Sequence, residues 1–108
     1  MRIKTFFFLF AILFSENSYS SVSEKWVGEW LALDQWQSEF NIVLKKNGIA
    51  TSNYGNGQHG FWEIIDGNVE IKWDSGKEDF IFIGVMGIQR LHKSKQREYT
   101  SGMKKLIN

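Results

Sequence analysis

From Trp26 onward apolar and polar residues alternate, and turn dipeptides return about every ten to fifteen residues. Successive side chains on a strand point to opposite faces, so a period of two broken by regular turns predicts an antiparallel all-β domain. The pattern places strands over residues 25–33, 38–45, 49–54, 60–65, 69–73, 79–85 and 87–92, with a last segment over 99–107. Beyond residue 20 no stretch keeps a helical period. Short strands leave exposed edges that need closing. The expected architecture is therefore an up-and-down meander closed into a small seven- or eight-stranded barrel or half-barrel.

The turns fix register. Asp66-Gly67 is a two-residue turn that tolerates positive φ at both positions, so Ile64 faces Val69, Trp62 faces Ile71 and Gly60 faces Trp73. Every apolar pair then falls on one face, which a slip of one residue would destroy. The indole of Trp73 is expected over the bare backbone of Gly60. At Lys46-Asn47-Gly48 a three-residue loop with Gly48 left-handed pairs Leu44 with Ala50, Ile42 with Ser52 and Phe40 with Tyr54. Around Asp74 to Asp79 the same reasoning sets Trp73 against Phe80 and Ile71 against Phe82. The inward set is Trp30, Phe40, Ile42, Leu44, Trp62, Ile64, Val69, Ile71, Trp73, Phe80 and Phe82. Ile81 and Ile83 face outward, which leaves residues 80–83 apolar on both faces and in need of a cover.

Composition changes this picture by subtraction. The chain has no cysteine and no proline, so disulfide scaffolds, thiolate metal sites and a cysteine nucleophile are excluded. Stability must come from burial, and five tryptophans can each bury on the order of 150–250 Å². Large inward side chains are expected to fill the barrel, leaving no enclosed ligand cavity.

The first twenty residues follow another logic. Arg2 and Lys4 precede an unbroken apolar run from Phe6 to Phe14, and polar Ser15 to Ser20 follow. This is the order of a secretory signal peptide, and the run is too short to cross about 30 Å of hydrocarbon. Ser18 and Ser20 place small residues for cleavage after Ser20, and Ser23 offers a small residue for a later cut. Residues 1–20 are thus read as a signal peptide and 21–108 as a single barrel domain, periplasmic or extracellular, with no membrane span after cleavage.

Without the first 20 residues, 11 Lys+Arg balance 11 Asp+Glu, but residues 90–108 hold six Lys+Arg against one Glu. The acidic body thus carries a basic C-terminal segment from about residue 90. Its charges, Arg90, Lys93, Lys95 and Arg97 among them, are interrupted by apolar residues and read as solvated or paired, with no nucleic acid as partner.

Candidate chemistry is sparse. The only histidines, His59 and His92, are 33 residues apart and outside any metal-ligand spacing. Glu63 and Glu70 face each other on the outer surface, too close and too exposed for a glycosidase pair. Asp74, Glu78 and Asp79 flank Gly76 without the ligand pattern of a calcium loop. No Gly-x-Ser-x-Gly elbow is present. No enzyme, no metal and no cofactor are expected. The stretch from Asn53 to Gly60 joins glycines, an aromatic ring and amides, and is the best rim for a binding site. Candidate ligand- or partner-binding residues are Tyr54, Asn56 and His59 there, Trp26 and Trp36 as indoles outside the core pattern, and Ile81 and Ile83 on the apolar strand.

Lys25-Trp26-Val27-Gly28-Glu29-Trp30 resembles the opening Gly-x-Trp of lipocalin-like (calycin-type) proteins. With Asn47-Gly48, Gly60-Phe61-Trp62, Asp66-Gly67 and Ile71-Lys72-Trp73, the chain looks like small secreted bacterial proteins of that type whose activity is unassigned. The resemblance implies that Trp30 closes one end of the barrel and that a late-strand arginine, Arg90, packs across it. The function expected is a non-catalytic secreted or periplasmic binding or interaction protein for a small ligand or a protein. Alternatives are a carbohydrate-binding module stacking a glycan on exposed tryptophans, and, last, a small envelope hydrolase.

The export reading is checked by N-terminal sequencing of the protein recovered outside the cytoplasm. Ser21 is the expected first residue, and an intact Met1 would contradict it.

Overall fold

The computed structural model describes residues 24–107, so the signal peptide and its cleavage point lie outside the described residues. Nine strands follow in order: β1 (Gly28–Leu33), β2 (Glu39–Leu44), β3 (Ile49–Ser52), β4 (Gln58–Ile65), β5 (Asn68–Trp73), β6 (Glu78–Gly84), β7 (Gly87–Lys93), β8 (Glu98–Gly102) and β9 (Lys104–Ile107). Each strand from β1 to β7 pairs antiparallel with the next, and β9 pairs with β1, in a single sheet. The result is a nearly closed barrel without helix among the described residues.

The closure comes from one segment. The expected strand over 99–107 is split at Met103, whose N–H donates to the Ile88 carbonyl (2.9 Å) and whose side chain is buried. The half before it lies on β7 and the half after it on β1, so the chain passes from one sheet edge to the other. A bulge between Glu29 and Trp30 accommodates β9.

Two expected registers hold. Asp66 and Gly67 have φ of 54° and 84°, and Ile64, Trp62 and Gly60 face Val69, Ile71 and Trp73. At the β2–β3 turn Gly48 has φ 89°, Leu44 faces Ala50 and Ile42 faces Ser52. Phe40 and Tyr54 lie beyond that ladder, but their rings approach to 4.8 Å between centroids. Glu63 and Glu70 are opposed, as expected.

The third register is a correction. The β5–β6 loop is the three residues Asp74-Ser75-Gly76, with Trp73 N–H bonded to Lys77 O (3.0 Å), Gly76 N–H to Trp73 O (2.9 Å), and Gly76 at φ 96°. Ile71 therefore faces Asp79, not Phe82, Trp73 is bonded to Lys77, not set against Phe80, and Val69 faces Ile81. This inverts the strand: Asp79 and Ile81 point inward, while Phe80 and Phe82 become half-buried on the outside, beside Ile65. A lone carboxylate turned inward would be costly. Its partner, Arg90 on β7, removes that objection.

The interior is filled by Trp26, Trp30, Phe40, Ile42, Leu44, Trp62, Val69, Ile71, Trp73 and Ile81, with Ala32, Ala50 and Met103 between them. Three of the four buried indoles have an acceptor: Trp30 Nε1 donates to Trp26 O (3.0 Å), Trp62 Nε1 to Lys45 O (2.8 Å) and Trp73 Nε1 to Asp79 Oδ2 (2.7 Å). Trp26 stacks on Trp30 at 5.8 Å, and the cation over Trp30 is Lys105 Nζ at 5.8 Å from the ring centre. The arginine that the resemblance puts across Trp30 is thus replaced by a lysine of β9. Arg90 lies elsewhere.

Gly60 is fixed by space. A Cβ there would collide with the Lys72 carbonyl oxygen and lie 2.9 Å from Trp73 Cα, so backbone, more than the indole, excludes a side chain. Gly60→Ala should lower unfolding stability by about 1–3 kcal/mol, the usual cost of overpacking. Urea unfolding of the variant checks this, and wild-type stability would contradict the close β4–β5 approach.

Candidate functional site: a polar cavity at the loop end of the barrel

In a meander the connections alternate between the two ends. The β1–β2, β3–β4, β5–β6 and β7–β8 loops gather at one end, and the β2–β3, β4–β5 and β6–β7 turns at the other. At the loop end a cavity of about 110 Å³ opens, lined by Gln35, Phe40, Tyr54, Gln58, Lys77, Asp79, Arg90, His92, Ser94, Gln96, Arg97 and Tyr99.

Its floor is a buried polar cluster. Arg90 is 1% exposed. Its Nη1 donates to Asp79 Oδ1, and its Nη2 donates to Leu33 O (2.8 Å) and Tyr99 Oη (3.0 Å). The guanidinium carbon lies 5.1 Å from the Phe40 ring centre and 5.4 Å from that of Tyr99. Of the three guanidinium nitrogens, Nε alone is without a partner. Asp79 accepts two further hydrogen bonds, from Trp73 Nε1 and, at 2.9 Å, from His92 Nδ1. A carboxylate cannot donate, so His92 Nδ1 carries a proton, and Nε2 is the remaining ring nitrogen.

These contacts decide the charge state of Asp79. Burial alone pushes its carboxyl up. The His92 hydrogen bond, the Arg90 charge and the Trp73 hydrogen bond outweigh burial and hold it below the ordinary carboxylate value. The rim is built differently. Asp34 at the end of β1 accepts the N–H groups of Trp36 (2.8 Å) and Ser38 (2.9 Å), which folds the β1–β2 loop around one carboxylate. The Tyr54 hydroxyl donates to Asp34 Oδ2 at 3.4 Å. Burial first, then the neighbouring Asp34 charge, pushes the Tyr54 phenol up, with Arg90 opposing. Tyr54 therefore stays a neutral hydrogen-bonding group at physiological pH.

Of the residues expected at a binding site, the cavity gathers Tyr54 alone. Asn56 is exposed on the same β3–β4 loop, and His59 Nδ1 lies 3.1 Å from Asp74 Oδ2 on the surface, with its ring against Phe61. Trp36 is 72% exposed at the tip of the β1–β2 loop. Trp26 (1% exposed) and Ile81 (0%) are core residues, which corrects their reading as surface groups. Ile83 is 61% exposed, but at the opposite end, next to the β6–β7 turn. Asp79, His92 and Tyr99 were not among the candidates, and Arg90 was assigned only to barrel closure. The signal for them is the Gly84-Val85-Met86-Gly87 hairpin: its two-residue loop pairs Asp79 with His92 and Ile81 with Arg90, which puts all four on the inward face.

The Asp79 shift sets a pH dependence. Its folded-state pKa lies below the unfolded value, so its contribution to stability is complete above about pH 4 and is lost as pH falls through the depressed folded value. Urea unfolding between pH 7 and pH 2 should show stability falling in the acid range. The fall should be shallower in Asp79→Asn, and an equal acid slope in that variant would contradict the assignment.

No protein-family model matches this chain, and no curated protein or solved structure does.

Proposed function

We propose that the chain is a secreted or periplasmic binding protein of the lipocalin-like barrel type, acting without catalysis, and that it takes a small polar ligand in the loop-end cavity. The observation that carries this reading is the contrast between the two ends. One is stoppered by the Trp26–Trp30 stack, and the other is a small recess whose walls are amides, hydroxyls and aromatic rings over a buried ion pair. Ligand sites are concave and combine apolar rings with a few placed polar groups, and the mouth of a barrel is a usual place for them. Asp79, the most shifted carboxylate, has both oxygens engaged by Arg90, His92 and Trp73. It serves as an anchor, not as a base awaiting substrate.

A second reading has its own support. Trp36 presents its indole to solvent at the same end, and an exposed indole is a platform for a sugar face. The two readings use different residues.

A thermal-shift screen of small polar metabolites and short glycans tests both. A ligand of the folded state raises the unfolding temperature in proportion to the logarithm of its concentration over Kd. Hits from the cavity should lose their shift in Gln58→Ala and Tyr54→Phe and keep it in Trp36→Ala. Hits that disappear only in Trp36→Ala would favour the glycan platform and overturn the cavity as the site.

A further inference from the structure

The lining of the cavity has an excess of positive charge with no carboxylate left to meet it. Lys77, Arg90 and Arg97 face it against a single acid, Asp79. Arg90 and Asp79 neutralise each other, and all the Asp79 hydrogen bonds run to Arg90, His92 and Trp73. Asp34, the other buried acid at this end, is occupied by two backbone amides and the Tyr54 hydroxyl and lies outside the lining. Lys77 and Arg97 make no ion pair within 4 Å among the described residues. Lys77 is half-buried next to the β5–β6 loop, and Arg97 sits on the β7–β8 loop, so two strand connections bring a cation each to one recess.

Resting on the cavity reading above, we infer that the ligand is a small oxyanion, held through its carboxylate or phosphate oxygens by Lys77 and Arg97. Charge-assisted hydrogen bonds to such oxygens are the strongest polar contacts these two side chains can make. The cavity volume of about 110 Å³ admits a small organic acid or inorganic phosphate, not a chain of sugars. The side-chain NH2 groups of Gln58 and Gln96 supply uncharged donors around the anion, while the Ser94 hydroxyl is taken by the Arg97 carbonyl. Arg90 provides the floor beneath, its own charge already committed to Asp79.

The test is a titration of the purified protein followed by amide NMR, with sodium citrate, sodium phosphate and uncharged maltotriose at constant ionic strength, which removes general screening. Citrate or phosphate should shift the signals of Tyr54, Ser94, Gln96 and Arg97 saturably, and which of the two binds more tightly identifies the head group. Lys77→Gln/Arg97→Gln should weaken binding about tenfold or more, the usual loss when charged hydrogen bonds are removed, and leave the other signals in place. Unchanged anion affinity in that variant would overturn the inference. Maltotriose shifting the cavity signals while the anions do not would overturn the anion but keep the cavity as a binding site. Signals that move with none of the three would overturn both.

Discussion

A guanidinium taken out of water must find partners for its charge and its N–H groups, and the loop end of this barrel is arranged around that requirement at Arg90. Its two terminal nitrogens reach three elements. One nitrogen holds Asp79 on β6, and the other holds Tyr99 on β8 and the carbonyl of Leu33 at the end of β1. The Leu33 contact matters most for closure, because β8 and β1 do not form a ladder with each other. At this seam the backbone pairing is replaced by side chains: Arg90 and the Ser101 hydroxyl (3.0 Å) both donate to Leu33 O. The edge carbonyl that an open sheet would leave unpaired is thereby satisfied.

The same residue links fold to site. Holding Asp79 inward lets that carboxylate take the Trp73 indole N–H and orient His92, and stacking between Phe40 and Tyr99 spaces the aromatic walls. Tryptophan does the corresponding work at the other end, where Trp30 and Trp26 stack and Lys105 caps the pair while its ammonium donates to Lys25 O (2.8 Å). One end is therefore closed by apolar packing and the other by a polar network that encloses a recess. The recess proposed as the site lies at the polar end.

Much of the fold was legible in the residue pattern, because strand alternation and turn chemistry are local. Asp66-Gly67 and Lys46-Asn47-Gly48 fixed two hairpins and with them the inward placement of Trp62, Ile71, Trp73, Ile42 and Leu44. The β5–β6 hairpin was misread for a reason of equal physical interest. Phe80-Ile81-Phe82-Ile83 is apolar on both faces, so alternation gives no parity, and the register rests entirely on the length assumed for the loop around Asp74 to Asp79. What decides parity is the charge next to it: Asp79 goes in because Arg90 does. That pairing spans two strands and is invisible to any local rule. The candidate site suffered from the same blind spot. Tyr54 was reachable from its loop, whereas Asp79, His92 and Tyr99 become neighbours only once β6, β7 and β8 are laid side by side. Glycine and amide content pointed to the end of the barrel where the recess opens, but to its outer rim at Asn56 and His59, which do not line it.

The dependence of the loop end on the Arg90–Asp79 pair is tested most directly by a double-mutant cycle, using Asp79→Leu, Arg90→Met and the two together, measured by equilibrium urea unfolding. Removing one partner leaves the other charge buried and alone, so each single variant should lose about 3–5 kcal/mol, while the double variant, with no stranded charge, should lose no more than either. Losses that simply add would contradict the account, since Arg90 and Asp79 would then stabilise the barrel independently of each other.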